Sequence, residues 1–577
     1  MRFSVGHIAL LLSLWICTVL AATRVRISDG ILEGSVLKSR NGRDIFAFRG
    51  IPYARPPVGV LRFQAPQPPA PWTGVRSAKS DANICLQKEA QNSASRIFGS
   101  EDCLYINVYT PKLPDVGWKN SSIPYAVMVW SYGGGWFSGS GSSQLYSPKF
   151  LLDHDIVLVT MNYRLGPLGF LSTADDVVPG NYALKDQVQA LRWVQRNIAV
   201  FGGDPSKVTI AGGSAGAANV HYLVLSPLAK GLFHRGISQS GTAVNTWSYN
   251  TPKLARDTAR RLARELDCPT ETSKRILQCL RTKNASAIAA KPTAWSIFNG
   301  APTMPFRPVK ESNHSGAFLT EEPGELMKRG EFSDVPWLSG VNANEGSMYT
   351  VGLYSSPHQE DVKRLNDEFV ELIPISLEMN PDYPRTTLEA ISRKIRQYYF
   401  GNKTIDESTR MNVTDMFSDA ELKFAGATAV KGHLHASKSP TYFYHFGYRS
   451  INHTSLIPYD PDRDYGVTHG DELMYLFPFY QAHFPNKTMG EGDFKMVDVM
   501  TLLWTNFVIF GEPTHESTFK SSIEWTPVKT DALETFIIEG PRSLKMSKGI
   551  FKNMIDFWSS LPCRVGLSYT NKYLVGC

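Results

Sequence analysis

One short segment, residues 212–216 with the sequence GGSAG, constrains the fold of this 577-residue chain more than any other. It follows an apolar run at residues 208–211 that is typical of a buried strand, and it leads into residues 215–225, which read as a helix. Glycines two positions before and after Ser214 allow a very tight turn, because residues there must lack bulk. The turn holds the serine hydroxyl at the N-terminus of the helix, so we predict that Ser214 is a nucleophile. The alternative is an ordinary strand–turn–helix joint.

Strands and helices alternate along the first half of the chain. Apolar runs at residues 127–130 and 156–160 have the length of buried strands, and apolar residues recur every three or four positions from 184 to 198, as in an amphipathic helix. Further strand candidates lie at residues 337–341 and 441–446. This alternation predicts the α/β class, with a large, mostly parallel central sheet and helices on both faces.

The sequence gives no sign of a boundary between domains. It contains no internal repeat and no linker rich in proline, glycine and serine. We therefore predict that residues 23–577 form a single domain. Residues 350–435 read as helical, and we expect them to form an insertion that covers one end of the sheet.

The N-terminus predicts secretion. Arg2 precedes an apolar segment at residues 8–20, and two alanines follow at 21–22. A positive charge, a short apolar segment and small residues, in this order, are typical of a signal peptide. A membrane anchor needs about 20 apolar residues. We predict that residues 1–22 are removed and that the mature protein is extracellular, with no membrane anchor.

Charge gives no support to nucleic acid as a partner. The chain has 60 Lys and Arg residues against 53 Asp and Glu residues, a formal charge of +7, and these are spread without a long basic run. We therefore expect no nucleic acid ligand.

The cysteines and the glycosylation sequons agree with an oxidising compartment. Apart from Cys17 in the predicted signal peptide, six cysteines form three close pairs along the chain: Cys85, Cys103, Cys268, Cys279, Cys563 and Cys577. Three local disulfides would suit this spacing, although the sequence alone allows other connectivities. Seven Asn-x-Ser/Thr sequons are candidates for glycosylation: Asn120, Asn284, Asn313, Asn402, Asn412, Asn452 and Asn486.

A glycine-rich segment follows the strand candidate at residues 127–130. It has the sequence YGGGW, and its glycines allow backbone N–H groups to approach a substrate oxygen. The amides of Gly134 and Gly135, with that of Ala215, would form an oxyanion hole. Two alternatives are an ordinary turn and a phosphate-binding loop, although no Gly-Lys-Ser/Thr follows the glycines.

A nucleophilic serine needs a base, and the base needs an acid to orient it. His469 and Glu345 both lie beyond strand candidates, where a parallel sheet displays functional groups at its carboxyl edge. The chain order serine, acid, histidine is the order of the α/β-hydrolases. With 13 histidines and 53 acidic residues, other pairs fit this evidence as well.

Several longer motifs identify a family. Two of them are FGGDP at residues 201–205, leading into 212–216, and EDCLYINV at 101–108; supporting stretches are FRGIPYA at 48–54, NYRLG at 162–166 and SQSG at 238–241. With these motifs the chain resembles the type-B carboxylesterases, the cholinesterase-like branch of the α/β-hydrolases. Among them it is most similar to insect secreted carboxylesterases and juvenile hormone esterases. The resemblance runs from about Val25 to Trp558.

The resemblance implies the α/β-hydrolase fold and a secreted serine hydrolase that cleaves carboxylic esters through an acyl-enzyme, without metal or cofactor. It assigns the triad to Ser214, Glu345 and His469, and the oxyanion donors to Gly134, Gly135 and Ala215. Trp247 matches a family position beside the acyl pocket; the alternative is a core tryptophan.

The resemblance also implies structural pairs. It implies the disulfides Cys85–Cys103 and Cys268–Cys279, and the buried ion pairs Arg62–Glu101 and Arg164–Asp204. The family's third internal disulfide has no match here. Cys563 and Cys577 either pair with each other, or Cys577 links two chains into a homodimer.

Departures from the family pattern bear on the substrate. Cholinesterases have a glutamate, and juvenile hormone esterases usually a glutamine, where this chain has Gly213. The loop at residues 86–102 lacks the tryptophan that binds choline through a cation–π contact. We therefore expect a small apolar ester rather than a choline ester. A dedicated juvenile hormone or odorant esterase is one alternative. An inert adhesion or binding protein is another, although such relatives lose a triad member and all three positions are filled here.

Overall fold

The computed structural model describes residues 23–88, 96–114, 124–355, 359–450, 463–479, 489–520 and 522–561. The predicted signal peptide, residues 1–22, lies outside the described residues. So do two of the cysteines and three of the sequons, namely Cys563, Cys577, Asn120, Asn452 and Asn486.

Sixteen strands are present in the described part of the chain. They are β1 (Arg24–Ile27), β2 (Gly30–Glu33), β3 (Ser35–Lys38), β4 (Asp44–Pro52), β5 (Val75–Ser77), β6 (Gln87–Lys88), β7 (Ile97–Phe98), β8 (Tyr105–Thr110), β9 (Tyr125–Ser131), β10 (Ile156–Met161), β11 (Gly203–Gly213), β12 (Arg235–Gln239), β13 (Trp337–Asn342), β14 (Thr441–Phe446), β15 (Glu534–Gly540) and β16 (Ser543–Lys548). Strands β1, β2 and β5 form a small sheet, and β6 pairs with β7.

Eleven strands form the central sheet, in the order β16-β15-β14-β13-β12-β11-β9-β10-β8-β4-β3. The run from β15 through β14, β13, β12, β11 and β9 to β10 is parallel. The strands at both edges pair in antiparallel fashion. Every residue of β10 and β13 is buried, as expected for strands covered on both faces. The prediction of a large, mostly parallel sheet is confirmed, and the sheet is mixed at its edges.

Fifteen α-helices accompany the sheet within the described ranges. They are α1 (Gly166–Phe170), α2 (Tyr182–Asn197), α3 (Ala215–Leu225), α4 (Pro252–Glu265), α5 (Ser273–Thr282), α6 (Ala285–Ala290), α7 (Pro323–Arg329), α8 (Ser347–Tyr354), α9 (Gln359–Asp367), α10 (Phe369–Ser376), α11 (Arg385–Phe400), α12 (Arg410–Ser418), α13 (Phe424–Ala436), α14 (Glu491–Phe510) and α15 (Lys552–Ser559). A π-helical turn, Asp419–Lys423, joins α12 to α13.

Short 3-10 helices complete the description. They are Gly59–Leu61, Leu151–Asp153, Ile198–Phe201, Pro227–Ala229, Thr246–Ser248, Lys291–Ala294, Glu407–Thr409 and Asp471–Tyr475. Among the described helices, none has the length and apolar character that crossing a membrane requires.

The helical insertion leaves the sheet after β13 and returns to it at β14. Helices α8 to α13 occupy most of residues 350–435, as the sequence predicts. Glu345 lies in the short connection between the end of β13 and the start of α8, so the insertion begins directly beside a predicted site residue.

Both disulfides that the resemblance implies are present, joining Cys85 to Cys103 and Cys268 to Cys279. The predicted pair of Arg62 and Glu101 forms two hydrogen bonds, of 2.7 and 2.6 Å. Arg62 also donates to three carbonyl oxygens at the C-terminal end of α5. A cation there complements the partial negative charge of the helix end. Arg62 therefore links α5 to the loop that the Cys85–Cys103 disulfide closes, which contains Glu101.

The predicted pair of Arg164 and Asp204 is wrong. Arg164 instead forms two hydrogen bonds with Asp186 on α2, of 2.8 and 2.6 Å, and both side chains are buried. Asp204 lies near the start of β11, where Ser206 and Lys207 provide its partners. A buried guanidinium needs an equally buried carboxylate, and Asp186 supplies it.

Candidate active site

The turn around Ser214 is as tight as the sequence predicts. Strand β11 ends at Gly213 and α3 begins at Ala215, and Ser214 between them has φ +58° and ψ −127°. This conformation is rare for a residue with a side chain and indicates backbone strain at the turn. The Ser214 N–H donates to the carbonyl oxygen of Gln239 at 2.8 Å, which ties the turn to the end of β12. The Ser214 hydroxyl makes no capping hydrogen bond to α3.

The flanking glycines are required by close backbone contacts. A Cβ atom at Gly212 would lie 2.5 Å from the backbone of Gly216 and 2.6 Å from the carbonyl oxygen of Ser131. A Cβ atom at Gly216 would lie 2.6 Å from the carbonyl oxygen of Tyr132. Real Cβ atoms do not approach other heavy atoms so closely. Any residue larger than glycine at position 212 or 216 would therefore displace the turn.

The glycine-rich loop after β9 packs against this turn. A Cβ atom at Gly133 would lie 2.9 Å from the Cβ of Ser214. Gly134 and Gly135 have φ angles of +103° and +59°, which glycine adopts without strain. The N–H of Ala215 is the first of α3 and has no acceptor within the helix. The predicted oxyanion donors therefore lie in two segments that meet at Ser214.

His469 and Glu345 are hydrogen-bonded to each other. The distance from His469 Nδ1 to Glu345 Oε2 is 2.6 Å, and the carboxylate is fully buried. The other carboxylate oxygen accepts hydrogen bonds from the Ser240 hydroxyl at 2.5 Å and from the Asn342 N–H at 2.6 Å. With its Nδ1 proton directed at the carboxylate, the imidazole keeps Nε2 as its basic nitrogen.

The loop that carries His469 also packs against the turn at Ser214. The side chain of Leu473 lies 3.1 Å from the position that a Cβ would take at Gly213. Ser240, which contacts Glu345, directly follows Gln239, which binds the Ser214 N–H. Ser214 thus follows β11, Glu345 follows β13, and His469, in the loop after β14, is hydrogen-bonded to Glu345 while its loop packs beside the turn at Ser214.

The surroundings of His469 favour its protonated form. Burial by itself lowers the pKa of the imidazole, but Glu345, through its charge and hydrogen bond, and the nearby Glu472 and Asp471 outweigh burial and raise the pKa above 6.5. An imidazole can accept a proton in one step of a reaction and return it in the next.

Glu472 is a site residue that the sequence-based analysis missed. It is fully buried, and its oxygens accept hydrogen bonds from Gln239 Nε2 at 3.2 Å and Asn342 Nδ2 at 2.5 Å. Burial first, and the charge of Glu345 second, raise the pKa of Glu472 to about 7. Its one signal in the sequence is its position three residues after His469.

Trp247 lies beside the glycine-rich loop. Its ring is 5.6 Å from that of Trp136, the residue that follows Gly135, and it is almost fully buried. Met304 is a second apolar neighbour of the loop, 3.4 Å from the position that a Cβ would take at Gly135. An apolar wall therefore stands on one side of the predicted oxyanion donors, and the role of Trp247 in an acyl pocket stays a prediction.

The chain is similar to known proteins over nearly its whole length. The sequence profile of the carboxylesterase family matches residues 21–558. A carboxylic ester hydrolase of Bombus ignitus is 36% identical over 94% of this chain and 94% of its own length. Esterase FE4 of Myzus persicae is 38% identical over 90% of this chain and 89% of its own length.

A solved structure is similar in fold over nearly the same extent. The crystal structure of juvenile hormone esterase from Manduca sexta, with OTFP covalently attached, has a TM-score of 0.79 and 28% sequence identity, and covers 93% of this chain and 99% of that chain. Likeness of sequence and of fold over nearly the whole chain means that this protein belongs to the carboxylesterase family and is a carboxylic ester hydrolase.

Proposed function

We propose that Ser214, His469 and Glu345 are the catalytic triad of this ester hydrolase. The observation that carries the proposal is the 2.6 Å hydrogen bond between His469 and the buried Glu345, in a loop that packs against the strained turn at Ser214. The carboxylate holds the imidazole in the tautomer that can accept the serine proton, and it stabilises the imidazolium that forms.

The first half-reaction forms an acyl-enzyme. Ser214 Oγ attacks the ester carbonyl carbon while its proton moves to His469 Nε2. Negative charge develops on the carbonyl oxygen, where the N–H groups of Gly134, Gly135 and Ala215 donate hydrogen bonds. The bond to the alkoxy oxygen then breaks, and His469 returns the proton to the departing alcohol.

The second half-reaction releases the acid. Water enters the place of the alcohol, and His469 takes one of its protons as the oxygen attacks the acyl carbon. The same three N–H groups stabilise the second tetrahedral intermediate. When it collapses, the bond to Ser214 Oγ breaks, the proton returns to that oxygen, and the carboxylic acid leaves.

We infer a small apolar ester as the substrate class. Trp136, Trp247 and Met304 place an apolar wall next to the proposed oxyanion hole, and such a wall favours an apolar acyl group over a charged one. A juvenile hormone ester is the second candidate, favoured by the structural similarity to the Manduca sexta enzyme. A higher kcat/KM for phenyl acetate than for a juvenile hormone ester would support the small apolar ester, and the reverse would support the juvenile hormone ester.

We also propose that the protein is secreted after removal of residues 1–22. The disulfides Cys85–Cys103 and Cys268–Cys279 support an oxidising compartment. Electrophoresis of the secreted protein with and without reductant distinguishes a bond between Cys563 and Cys577 from a homodimer joined through Cys577.

Turnover of the Ser214→Ala variant tests the proposed nucleophile. We expect kcat for phenyl acetate to fall at least about 1,000-fold, because removing a triad member leaves only the oxyanion hole and substrate binding. Ser206→Ala, at the other end of β11, is the matched control and should keep parental turnover. Parental turnover in a folded Ser214→Ala variant would show that another group is the nucleophile.

A further inference from the structure

The excess positive charge of the chain is concentrated in one segment of the fold, although it forms no long basic run. Residues 252–291 contain ten Lys and Arg residues against four Asp and Glu residues, whereas the rest of the chain contains 50 against 49. This segment forms α4, α5 and α6, and the disulfide Cys268–Cys279 joins the turn after α4 to α5. One folded unit therefore carries nearly the whole net charge of the protein.

Helix α4 has two distinct faces. The residues that it buries are small or apolar, namely Ala255, Thr258, Ala259, Leu262 and Ala263. They recur at the spacing of one helical face. Every residue of α4 that is exposed to solvent is charged, and we call these six residues the basic face: Lys253, Arg256, Asp257, Arg260, Arg261 and Arg264.

Three arginines of the basic face have no partner within the described part of the chain. The other two cations of this face are paired with acidic residues, namely Lys253 with Asp257 and Asp382, and Arg261 with Glu265. The guanidinium groups of Arg256, Arg260 and Arg264 form neither an ion pair nor a hydrogen bond with the residues that the structure describes. These three groups are therefore available to anions from solution.

The spacing of the three arginines suits a linear ligand. Arg256, Arg260 and Arg264 follow one another at intervals of four residues, which places them on one side of the helix and about 6 Å apart along its axis. Like charges four residues apart destabilise a helix, so this arrangement works against the stability of α4 by itself. A chain with anionic groups repeated along its length offsets the repulsion, because each guanidinium then meets a separate anion.

The composition of the basic face favours a polysaccharide over a membrane or a nucleic acid. Helices that lie on membranes offer large apolar side chains beside their cations, and proteins that bind single-stranded nucleic acids stack the bases on aromatic side chains. Residues 252–291, all of which the structure describes, expose no large apolar side chain and include no aromatic residue. A polysaccharide with sulfate groups requires neither, and such polymers occur outside cells.

We propose that the basic face binds a sulfated polysaccharide, with sulfate groups paired to Arg256, Arg260 and Arg264. The N–H groups of a guanidinium form charge-assisted hydrogen bonds to the oxygens of such anions. The interaction does not depend on the proposed triad. The choice of an extracellular partner rests on the proposed secretion.

Titration of the secreted protein with a heparin decasaccharide tests the site, with the double variant Arg256→Glu/Arg260→Glu. The matched control is Arg192→Glu/Arg196→Glu on α2, because these two arginines are also exposed, four residues apart and without a partner among the described residues. We expect saturable binding by the parent and the control. The dissociation constant should rise at least about tenfold in the site variant, because two charge-assisted contacts are replaced by repulsion. The single variant Arg260→Gln should weaken binding to a smaller extent.

Further probes identify the class of polymer. A decasaccharide without its sulfate groups should not bind, and a DNA duplex and vesicles that contain phosphatidylserine should bind more weakly than heparin. Turnover of phenyl acetate should remain parental in all variants, which shows that they are folded. Equal affinity for heparin in the site variant and the control, or no saturable binding by the parent, would overturn the site. Tighter binding of DNA or of the vesicles would overturn the choice of partner.

Discussion

The two oxygens of Glu345 have different partners, and this division explains how the carboxylate keeps its orientation. One oxygen accepts from His469, while the other is held by the Ser240 hydroxyl and the Asn342 N–H. Both holding groups come from the ends of neighbouring strands, so the sheet itself sets the direction of the imidazole. A second buried acid, Glu472, lies in the same region, and the charge of Glu345 helps to raise its pKa to about 7.

Substituting Ser240 by Ala should weaken catalysis without weakening substrate binding. The loss of one hydrogen bond to a buried carboxylate costs about 1.5–3 kcal/mol, so we expect kcat/KM to fall about 10- to 150-fold with little change in KM. Ser238→Ala is the matched control, because the Ser238 hydroxyl donates to the backbone of Ala217 instead. Equal rates in the two variants would show that Ser240 does not position Glu345.

The pH dependence of kcat/KM should report the titration of His469. The imidazole must be neutral to accept the serine proton, and its pKa is raised above 6.5. We therefore expect activity to rise with pH through a midpoint above 6.5. Glu345→Gln removes a negative charge that stabilises the imidazolium, whereas Glu472→Gln removes one that is largely present only above pH 7, so the midpoint should move to lower pH in both variants and further in Glu345→Gln. A parental midpoint below 6.5, or midpoints that do not move, would contradict the assignment of His469 as the base.

At the scale of residues, the sequence predicts those site residues whose conformation depends only on their neighbours in the chain. The turn at Ser214 and the glycines around it are recognisable because steric limits act within a few positions. Glu472 was not predicted at all, and Arg164 was assigned the wrong partner. Burial and long-range packing decide which acidic residues come to lie beside a given histidine or arginine. A short sequence motif does not show which distant residues pack together in the fold.

A buried pair of histidines forms a contact between α3, which begins at the turn of Ser214, and α13. His221 on α3 and His433 on α13 have their Nε2 atoms 3.2 Å apart, and His221 Nδ1 accepts from the N–H of Ala243. Burial lowers the pKa of both residues, in the case of His433 to about 3. Both imidazoles therefore stay neutral in the folded protein at pH values where they would be charged in the unfolded chain.

This pair should destabilise the protein in acid. In the unfolded chain a histidine binds a proton below about 6.5, whereas buried His433 does so only near pH 3. Stability from this residue is present above pH 6.5 and is lost as the pH falls, by about 2–3 kcal/mol between pH 6.5 and 4.5. Thermal unfolding of His433→Gln across this range should show a smaller loss than the parent. His435→Gln, on the exposed side of the same helix, should follow the parent; a parental slope in His433→Gln would contradict the account.

Among the elements, those with strong apolar patterns were predictable and the edge strands were not. Strands β9 and β10 are nearly continuous apolar runs in a buried sheet. Strand β16, in contrast, is half exposed along its length, so its sequence has little apolar character to mark it. The antiparallel edges of the sheet depend on pairing with distant segments, and a local pattern cannot reveal such pairing.

At the scale of the whole molecule, the described sequons differ in how they present the amide nitrogen that would carry a glycan. Asn284, Asn313 and Asn402 are exposed. Asn412 is half buried within α12, and its Nδ2 donates to the carbonyl oxygen of Tyr399 at 3.0 Å. Surface position and a free amide both favour modification in a secreted protein.

We therefore expect glycans on the three exposed sequons and low occupancy at Asn412. Mass spectrometry of glycopeptides from the protein secreted by a eukaryotic host provides the measurement, with glycosidase-treated protein as the control. Full occupancy at Asn412 would show that this segment is modified before α12 packs, and unmodified peptides at all three exposed sites would contradict passage through the secretory pathway.

The central claim is that ester hydrolysis proceeds through a covalent bond to Ser214, and covalent trapping tests it most directly. The purified protein is treated with an organophosphate and weighed intact, and the modified residue is located by peptide mass spectrometry while residual turnover of phenyl acetate is followed. The account predicts one adduct per chain on Ser214, a loss of turnover in proportion to labelling, and no adduct in Ser214→Ala. An adduct on another residue that abolishes turnover, or full labelling of Ser214 with turnover intact, would contradict it.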